Sequence, residues 1–273
     1  MNFLPKKHLI LQPSVPQTPP VRLISYQVAN MQGLGRRDNQ EDAFAFVNAL
    51  DVREMKRNGL FAILADGMGG MSSGEIASQI AIDSLKADFF RFDREGDLVR
   101  QLQDSAARAS EAVFQRLGGS GGSTLIACLF FQQFCYYVSA GDSRLYLWRD
   151  GQLLQINRDQ NIRNLRYLEA IRNGSLNPAA AEADEERDAI VAFLGMADSI
   201  ELDCFYRPLP LQDGDVFLLC SDGVSDVITE EETAACLALK SPLEICRALE
   251  ERILSKQKAY QDNYTALVVC CRK

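Results

Sequence analysis

Acidic residues recur in this sequence at points where an apolar run or a glycine gives way to a turn. The series is Glu41-Asp42, Asp66-Gly67, Gly141-Asp142-Ser143, Ser221-Asp222-Gly223 and Asp262-Asn263. A strand end aims its next side chain at one edge of a sheet, so several such ends can converge on one cluster of oxygens. Hard divalent cations such as Mg²⁺ and Mn²⁺ take that ligand set, completed by water. A lone Asp-Gly makes only a turn; the recurrence is what points to a cation site. The sharpest segment is Leu64-Ala65-Asp66-Gly67-Met68-Gly69-Gly70-Met71. Glycines beside Asp66 leave backbone carbonyls open and let a ligand approach closely. Asp66 could therefore bridge two ions, with the Gly67 carbonyl as a further ligand. Ser72, Ser73 and Gly74 then lead into a helix as a capped start.

Other chemistries are disfavoured by what is missing or scattered. The one histidine, His8, lies in the N-terminal segment, which rules out a His-rich zinc site or a Ser-His-Asp triad in the body. The eight cysteines include no C-x-x-C pair and sit in apolar runs, so they read as buried, reduced thiols. There is no P-loop. The net charge of −8 comes without a basic block, so nucleic acid is not an expected partner. No apolar run reaches the roughly 18 residues of a membrane span, and no signal-peptide core is present. A cytoplasmic, monomeric protein with no membrane partner is expected.

The carboxylates need elements to carry them. Residues 1–20 read as a flexible, proline-rich tail, with Pro13, Pro16, Pro19 and Pro20. Residues 21–273 read as one domain, within the range that α/β and β-rich units reach. Strands are predicted at Arg22–Ala29, Phe44–Val47, Leu60–Ala65, Thr124–Phe131, Phe134–Ala140, Arg144–Trp148, Gln152–Ile156, Val216–Cys220 and Ala266–Cys271. Gln132-Gln133 and Asp150-Gly151 are hairpin signals. Helical spacing predicts helices near Gly74–Phe90, Asp97–Leu117, Asn161–Asn173 and Glu230–Lys256. Hairpin-linked strands with helix pairs inserted indicate an α+β sandwich rather than a parallel fold.

In order along the chain, these motifs resemble those of the metal-dependent protein phosphatases of the PPM family, type 2C, in their short bacterial form. Arg37-Asp38-Asn39-Gln40-Glu41-Asp42 resembles the opening R-x-x-x-E-D, and Asp66-Gly67-Met68-Gly69-Gly70 resembles D-G-x-G-G. Gly122-Ser123-Thr124 resembles G-[ST]-T, and Ala140-Gly141-Asp142-Ser143-Arg144 resembles A-G-D-S-R. Ser221-Asp222-Gly223-Val224-Ser225-Asp226 and Asp262-Asn263-Tyr264-Thr265 resemble S-D-G-[VL]-x-D and D-N-x-T. Each motif alone is weak; six in the family's order, from about Gly33 to Val269, are specific.

The resemblance implies a four-layer α-β-β-α sandwich of two antiparallel sheets flanked by helix pairs, with a flap at about residues 161–194. It implies hydrolysis of phosphoserine and phosphothreonine on proteins, the products of a serine/threonine kinase. Asp66 would bridge two Mn²⁺ or Mg²⁺ ions about 3.5–4 Å apart. Asp222 and Asp262 would complete one shell, Glu41 and the Gly67 carbonyl the other, and Asp42 would act nearby. Arg37 would grip the phosphate. Asp142 and Asp226 would form a looser third metal site. A hydroxide shared by the two ions would attack phosphorus directly. The alternatives are a phosphoprotein-binding module of the same fold and a metal phosphoesterase of small molecules. Three places depart from the family pattern. Met68 stands where some members have a histidine proposed as general acid, Gln40 where many have asparagine or methionine, and Asn157-Arg158-Asp159-Gln160-Asn161 where the family has a D-H-S-like segment. The acidic run Glu182–Asp188 reads as a solvated helix face, or else as a surface favouring basic phosphopeptides.

Overall fold

The computed structural model describes residues 24–69, 73–175, 179–239 and 241–273. The proline-rich tail with His8, and Gly70, Met71 and Ser72 of the glycine turn, lie outside the described residues. In chain order the elements are β1 (Ser25–Gly33), β2 (Asp42–Val47), α1 (Val52–Asn58), β3 (Leu60–Gly69), α2 (Ser73–Phe89) and α3 (Leu98–Leu117). Next come β4 (Gly121–Ser123), β5 (Leu125–Phe131), β6 (Phe134–Ala140), β7 (Arg144–Arg149), β8 (Gln152–Gln155), α4 (Ile162–Arg172) and α5 (Ala179–Glu182). The last are β9 (Asp203–Cys204), β10 (Leu209–Pro210), β11 (Val216–Cys220), α6 (Asp222–Ser225), α7 (Glu230–Leu237), α8 (Pro242–Lys256) and β12 (Tyr264–Arg272).

The strands make two sheets in the orders β1-β12-β11-β7-β8 and β10-β6-β5-β3-β2, with β4 beside β3 and β9 beside β6. All their pairings are antiparallel. Alternation along each strand then assigns the layers. In β3, Leu60, Ala62 and Leu64 face the other sheet, meeting Leu145, Phe217, Leu219 and Leu267. Phe61, Ile63 and Ala65 face outward onto Ala77, Ala81 and Leu85 of α2 and Leu102 and Ala109 of α3. In the opposite sheet, Leu218, Ala266 and Val268 face outward onto Leu237, Ile245, Leu249 and Ile253. Central strands are thus apolar on both faces, and each large apolar side chain buried contributes about 1.5–3 kcal/mol. The architecture is the expected α-β-β-α sandwich. The turn residues Gln132 (φ 55°), Asp150 (φ 52°) and Gly151 (φ 78°) take the positive φ that tight hairpins require. All eight cysteines are free thiols and seven are buried. Among the described residues no helix is long and apolar enough to cross a membrane.

Several expectations need correction. The strand predicted to end at Ala29 runs on to Gly33, because all nine residues of β1 pair with β12; Arg22 and Leu23 lie outside the described residues. The helix predicted over Glu230–Lys256 is two helices. Pro242 opens the second, and a proline both lacks an N–H and disfavours helical backbone in the residue before it. Helix α1 was not anticipated, although Asp51 caps it by accepting from the N–H groups of Arg53 and Glu54. The acidic run Glu182–Asp188 is not a helix face. Helix α5 ends at Glu182, and the carboxylates of Asp184 and Asp188 pair with Arg166 and Arg163. The strand predicted to stop at Ala65 continues to Gly69, so Asp66-Gly67 is not a turn.

Candidate active site

Asp66 sits where β3 changes partners. Pairing with β5 ends at Leu64↔Ile126, and pairing with β4 begins at Gly67↔Ser123. On its other side β3 pairs with β2, which sets Asp42 directly opposite Asp66. The junction is tied by hydrogen bonds. The Asp66 N–H donates to Thr124 Oγ1 (3.0 Å), the Thr124 N–H donates to the Asp66 carbonyl (2.8 Å), and Ser123 Oγ donates to that same carbonyl (3.0 Å). Thr124 Oγ1 in turn lies 2.8 Å from Ser143 Oγ, which links the junction to the turn carrying Asp142.

The neighbouring carboxylates are held by equally specific contacts. Ser221 Oγ donates to Asp42 Oδ2 (2.9 Å) and accepts from the Thr265 N–H (3.0 Å). The Glu41 N–H donates to Asn263 Oδ1 (2.8 Å), and Asn263 Nδ2 donates to the carbonyls of Leu34 (2.9 Å) and Asn39 (3.1 Å). The Gly67 N–H donates to the Glu41 carbonyl (3.1 Å). A methyl group at Gly67 would lie 2.1 Å from the Gly74 carbonyl oxygen, and one at Gly74 would lie 2.8 Å from the Glu41 carboxyl carbon. Only glycines let the start of α2 come this close to β3. Asp222 opens α6, and the Asp226 N–H donates to the Asp222 carbonyl (2.8 Å). The turn therefore brings Asp222 and Asp226 to one side, as their spacing predicts. Arg37 Nη2 lies 2.5 Å from Asp262 Oδ2.

The electrostatics of this cluster are unfavourable without a cation. Burial lifts Asp66 well above the usual carboxylate range, and the charges of Asp42, Asp222, Asp142 and Asp262 lift it further. Asp222 is pushed up to about 7 by burial and then by Asp142 and Asp262. Asp42 is pushed up to about 6 by burial, against the lowering effect of hydrogen bonds from Thr265 and Ser221. Asp142 reaches about 6 through burial and the charge of Asp159. Burial also raises Glu41 and Asp226. Asp42 Oδ1 and Asp142 Oδ1 are buried without a hydrogen-bond partner. Orphaned carboxylate oxygens among mutually repelling charges fit a site that takes up divalent cations. Among the described residues no three acidic, histidine or cysteine side chains are gathered tightly enough to hold an ion by themselves. Mg²⁺ in particular keeps several waters in its shell.

The sequence-predicted residues thus divide into two groups. Glu41, Asp42, Asp66, Gly67, Asp262 and Arg37 are brought together at one end of the facing sheets through these contacts. Asp142 and Asp226 line a cavity of about 270 Å³ beside them, and Asp222 belongs to both groups. The structural parts of Thr124, Ser143, Ser221, Asn263 and Thr265 were not read from sequence, although all five stand inside the motifs. For Ser143, Ser221 and Asn263 the signal was a hydroxyl or amide next to an aspartate; Thr124 and Thr265 have no acidic neighbour in sequence. The segment Asn157–Asn161, where the resemblance breaks, has a definite structural part. Asn157 Oδ1 accepts from the Leu145 N–H (2.7 Å) and Gln160 Oε1 from the Gly141 N–H (2.9 Å), bracketing the Asp142 turn. Asp159 holds Arg144 at 2.8 Å. Lys258, which also lines the cavity, had no sequence signal.

The segment beyond Asn161 is built differently. Asn161 caps α4 by accepting from the Asn164 N–H, and α4 has no buried residue. Its arginines reach across to α5 and the following loop: Arg163 to Asp188, and Arg166 to Asp184 at 3.2 Å.

Known proteins share this frame. The sequence profile of the protein phosphatase 2C family matches residues 35–259. The serine/threonine protein phosphatase PstP of Mycobacterium tuberculosis is 32% identical over 253 residues, 90% of this chain and 45% of that protein. The chain thus spans about half the length of that relative. The serine/threonine phosphatase stp of Listeria monocytogenes serotype 4b is 28% identical over 253 residues, 87% of this chain and 92% of that one. The crystal structure of the PstP catalytic domain with two manganese ions gives a TM-score of 0.70 at 29% identity, covering 92% of this chain and 99% of that one.

Proposed function

Because the chain belongs to the protein phosphatase 2C family, we propose that it is a metal-dependent phosphatase of phosphoserine and phosphothreonine in proteins. The observation that carries this reading is the cluster of the buried Asp42 with the half-buried Asp66 and Asp222, mutually repelling and raised above the usual carboxylate range. A protein keeps such a cluster where a cation compensates it. Residues 21–273 form one catalytic unit, with 161–194 as a flap beside the cavity. The substrates are phosphoproteins made by a serine/threonine kinase.

Asp66 would be shared by two Mn²⁺ or Mg²⁺ ions, with Asp222 and Asp262 toward one and Glu41 and the Gly67 carbonyl toward the other. The ions supply an activated water and neutralise phosphate charge. Asp42 steadies the cluster through its bond from Ser221. Arg37 is exposed and paired with Asp262, so its planar fork lies at the cluster's edge, where a phosphate would be met. Met68 cannot protonate a leaving alkoxide, so that proton comes from water. A third ion between Asp142 and Asp226 would find only two carboxylates and would have to fill the rest of its shell with waters.

The deciding experiment is turnover of a phosphothreonine peptide and a nucleotide panel, with and without exhaustive chelation. Peptide turnover should vanish on chelation and return with Mn²⁺. Full activity in verified metal-free protein would overturn the two-metal reading, and preference for nucleotides would reassign the substrate.

A further inference from the structure

The cavity shared by Asp142, Asp222 and Asp226 is also lined by three cations, Arg144, Arg163 and Lys258. Two of them are already committed. Arg144 Nη2 lies 2.8 Å from Asp159 Oδ2 and also donates through Nε to that carboxylate. Arg163 is ion-paired with Asp188. Lys258 is placed otherwise. It comes from the loop between α8 and Asp262, and its Nζ donates to the backbone carbonyl of Asp226 at 2.5 Å. A carbonyl fixes the position of the ammonium but leaves its full charge uncompensated. That charge acts on the Asp226 carboxylate, which also feels Arg144.

We propose that Lys258 is the resident cation of this third position, so that the chain holds two divalent ions and takes up no third while Lys258 is in place. The argument rests on the reading of the neighbouring cluster as a two-metal centre. An ammonium is a compact point charge on a flexible stem, and here it lines the same cavity as the carboxylates that a third ion would need. A divalent ion entering the cavity would meet that ammonium at close range in a partly enclosed space, where like charges repel more strongly than in water. The carboxylates available to it, Asp142 and Asp226, are too few to outweigh that repulsion. Asp66 and Asp262 lie outside the cavity lining, so the same ammonium leaves the two-ion cluster its own ligands.

The test is metal stoichiometry on the full chain by equilibrium dialysis against Mn²⁺, for the wild type, Lys258→Ala, Lys258→Gln and Lys258→Arg. Wild type and Lys258→Arg should saturate at two ions per chain up to millimolar free metal. Lys258→Ala and Lys258→Gln should each gain a third ion, with a dissociation constant on the order of 10⁻⁴–10⁻³ M, the range of sparse carboxylate sites. A merely structural lysine would change melting temperature without changing stoichiometry. Three ions in the wild type, or two ions in both neutral variants, would overturn the proposal while leaving the two-metal reading intact. No bound ion in the wild type would overturn both. The Gln variant keeps the chain length of the site should the Ala variant fold poorly.

Discussion

On the sheet side of the cavity, Asp42, Asp66 and Asp142 sit on backbone tied down by buried hydroxyls and amides from Ser221, Thr124, Ser143 and Gln160. On the side of the proposed flap, α4 has no buried residue and is held by ion pairs such as Arg163 to Asp188, whose carboxylate is 68% exposed. The first region holds charges that repel one another, and rigid surroundings are what keep them converged. The second region is held by contacts worth little individually.

Asp222→Asn probes the first region most severely. Turnover on a phosphothreonine peptide should fall on the order of 10²-fold or more, the usual loss for one catalytic electrostatic group. The metal-free variant should nevertheless melt higher than the metal-free wild type, because one of the repelling charges is gone. Near-normal turnover in the folded variant would reduce Asp222 to a turn residue.

The second expectation is a pH dependence of stability. Asp42 and Asp142 titrate near 6 and Asp222 near 7 in the folded protein, against about 3.9 unfolded. The folded state therefore binds more protons than the unfolded state in this window. Stability of the chelated protein should fall as pH rises from about 4 through about 7. Metal ions need the deprotonated ligands, so Mn²⁺ should raise the melting temperature more at neutral pH than at acid pH. Thermal melts with and without chelator check both signs, and a chelated protein that gains stability over this range would break the picture of a strained cluster.

The smallest effect is expected on the flap. Arg163→Ala removes the pair with Asp188, and the change in unfolding free energy should stay below about 1 kcal/mol. KM for phosphopeptides should shift while turnover of an aryl phosphate stays near wild type. A loss of several-fold in both would mean that the flap is part of the rigid frame.

Asp66, Asp142 and Asp222 were legible because each follows an apolar strand or its terminal glycine and has a turn-type residue after it, as at Ser221-Asp222-Gly223. The strands were legible from their runs of Val, Ile, Leu, Phe and Tyr, but β5 and β12 are buried on both faces, so the layer each side chain faces was not. The break between α7 and α8 was marked by Pro242 but masked by an unbroken apolar pattern around it. The partner change in β3 left no local mark, because Asp66-Gly67 reads equally as a turn or as strand. The structure decides for strand, since β4 offers Ser123 opposite Gly67.

The sequence by itself determined the residue types of the site, their order and the α+β sandwich class, because hydrophobic period and turn chemistry are properties of neighbouring residues. Only the tertiary structure decided which hydroxyl meets which carboxylate. Ser221 and Asp42 are 179 positions apart, and Asn263 and Glu41 are 222 apart. It alone put Lys258 against Asp226, 32 positions away and on a separate loop. Charge repulsion and hydrogen bonding act through space over a few ångströms, and no spacing along the chain encodes which distant residues the sheets bring within that reach.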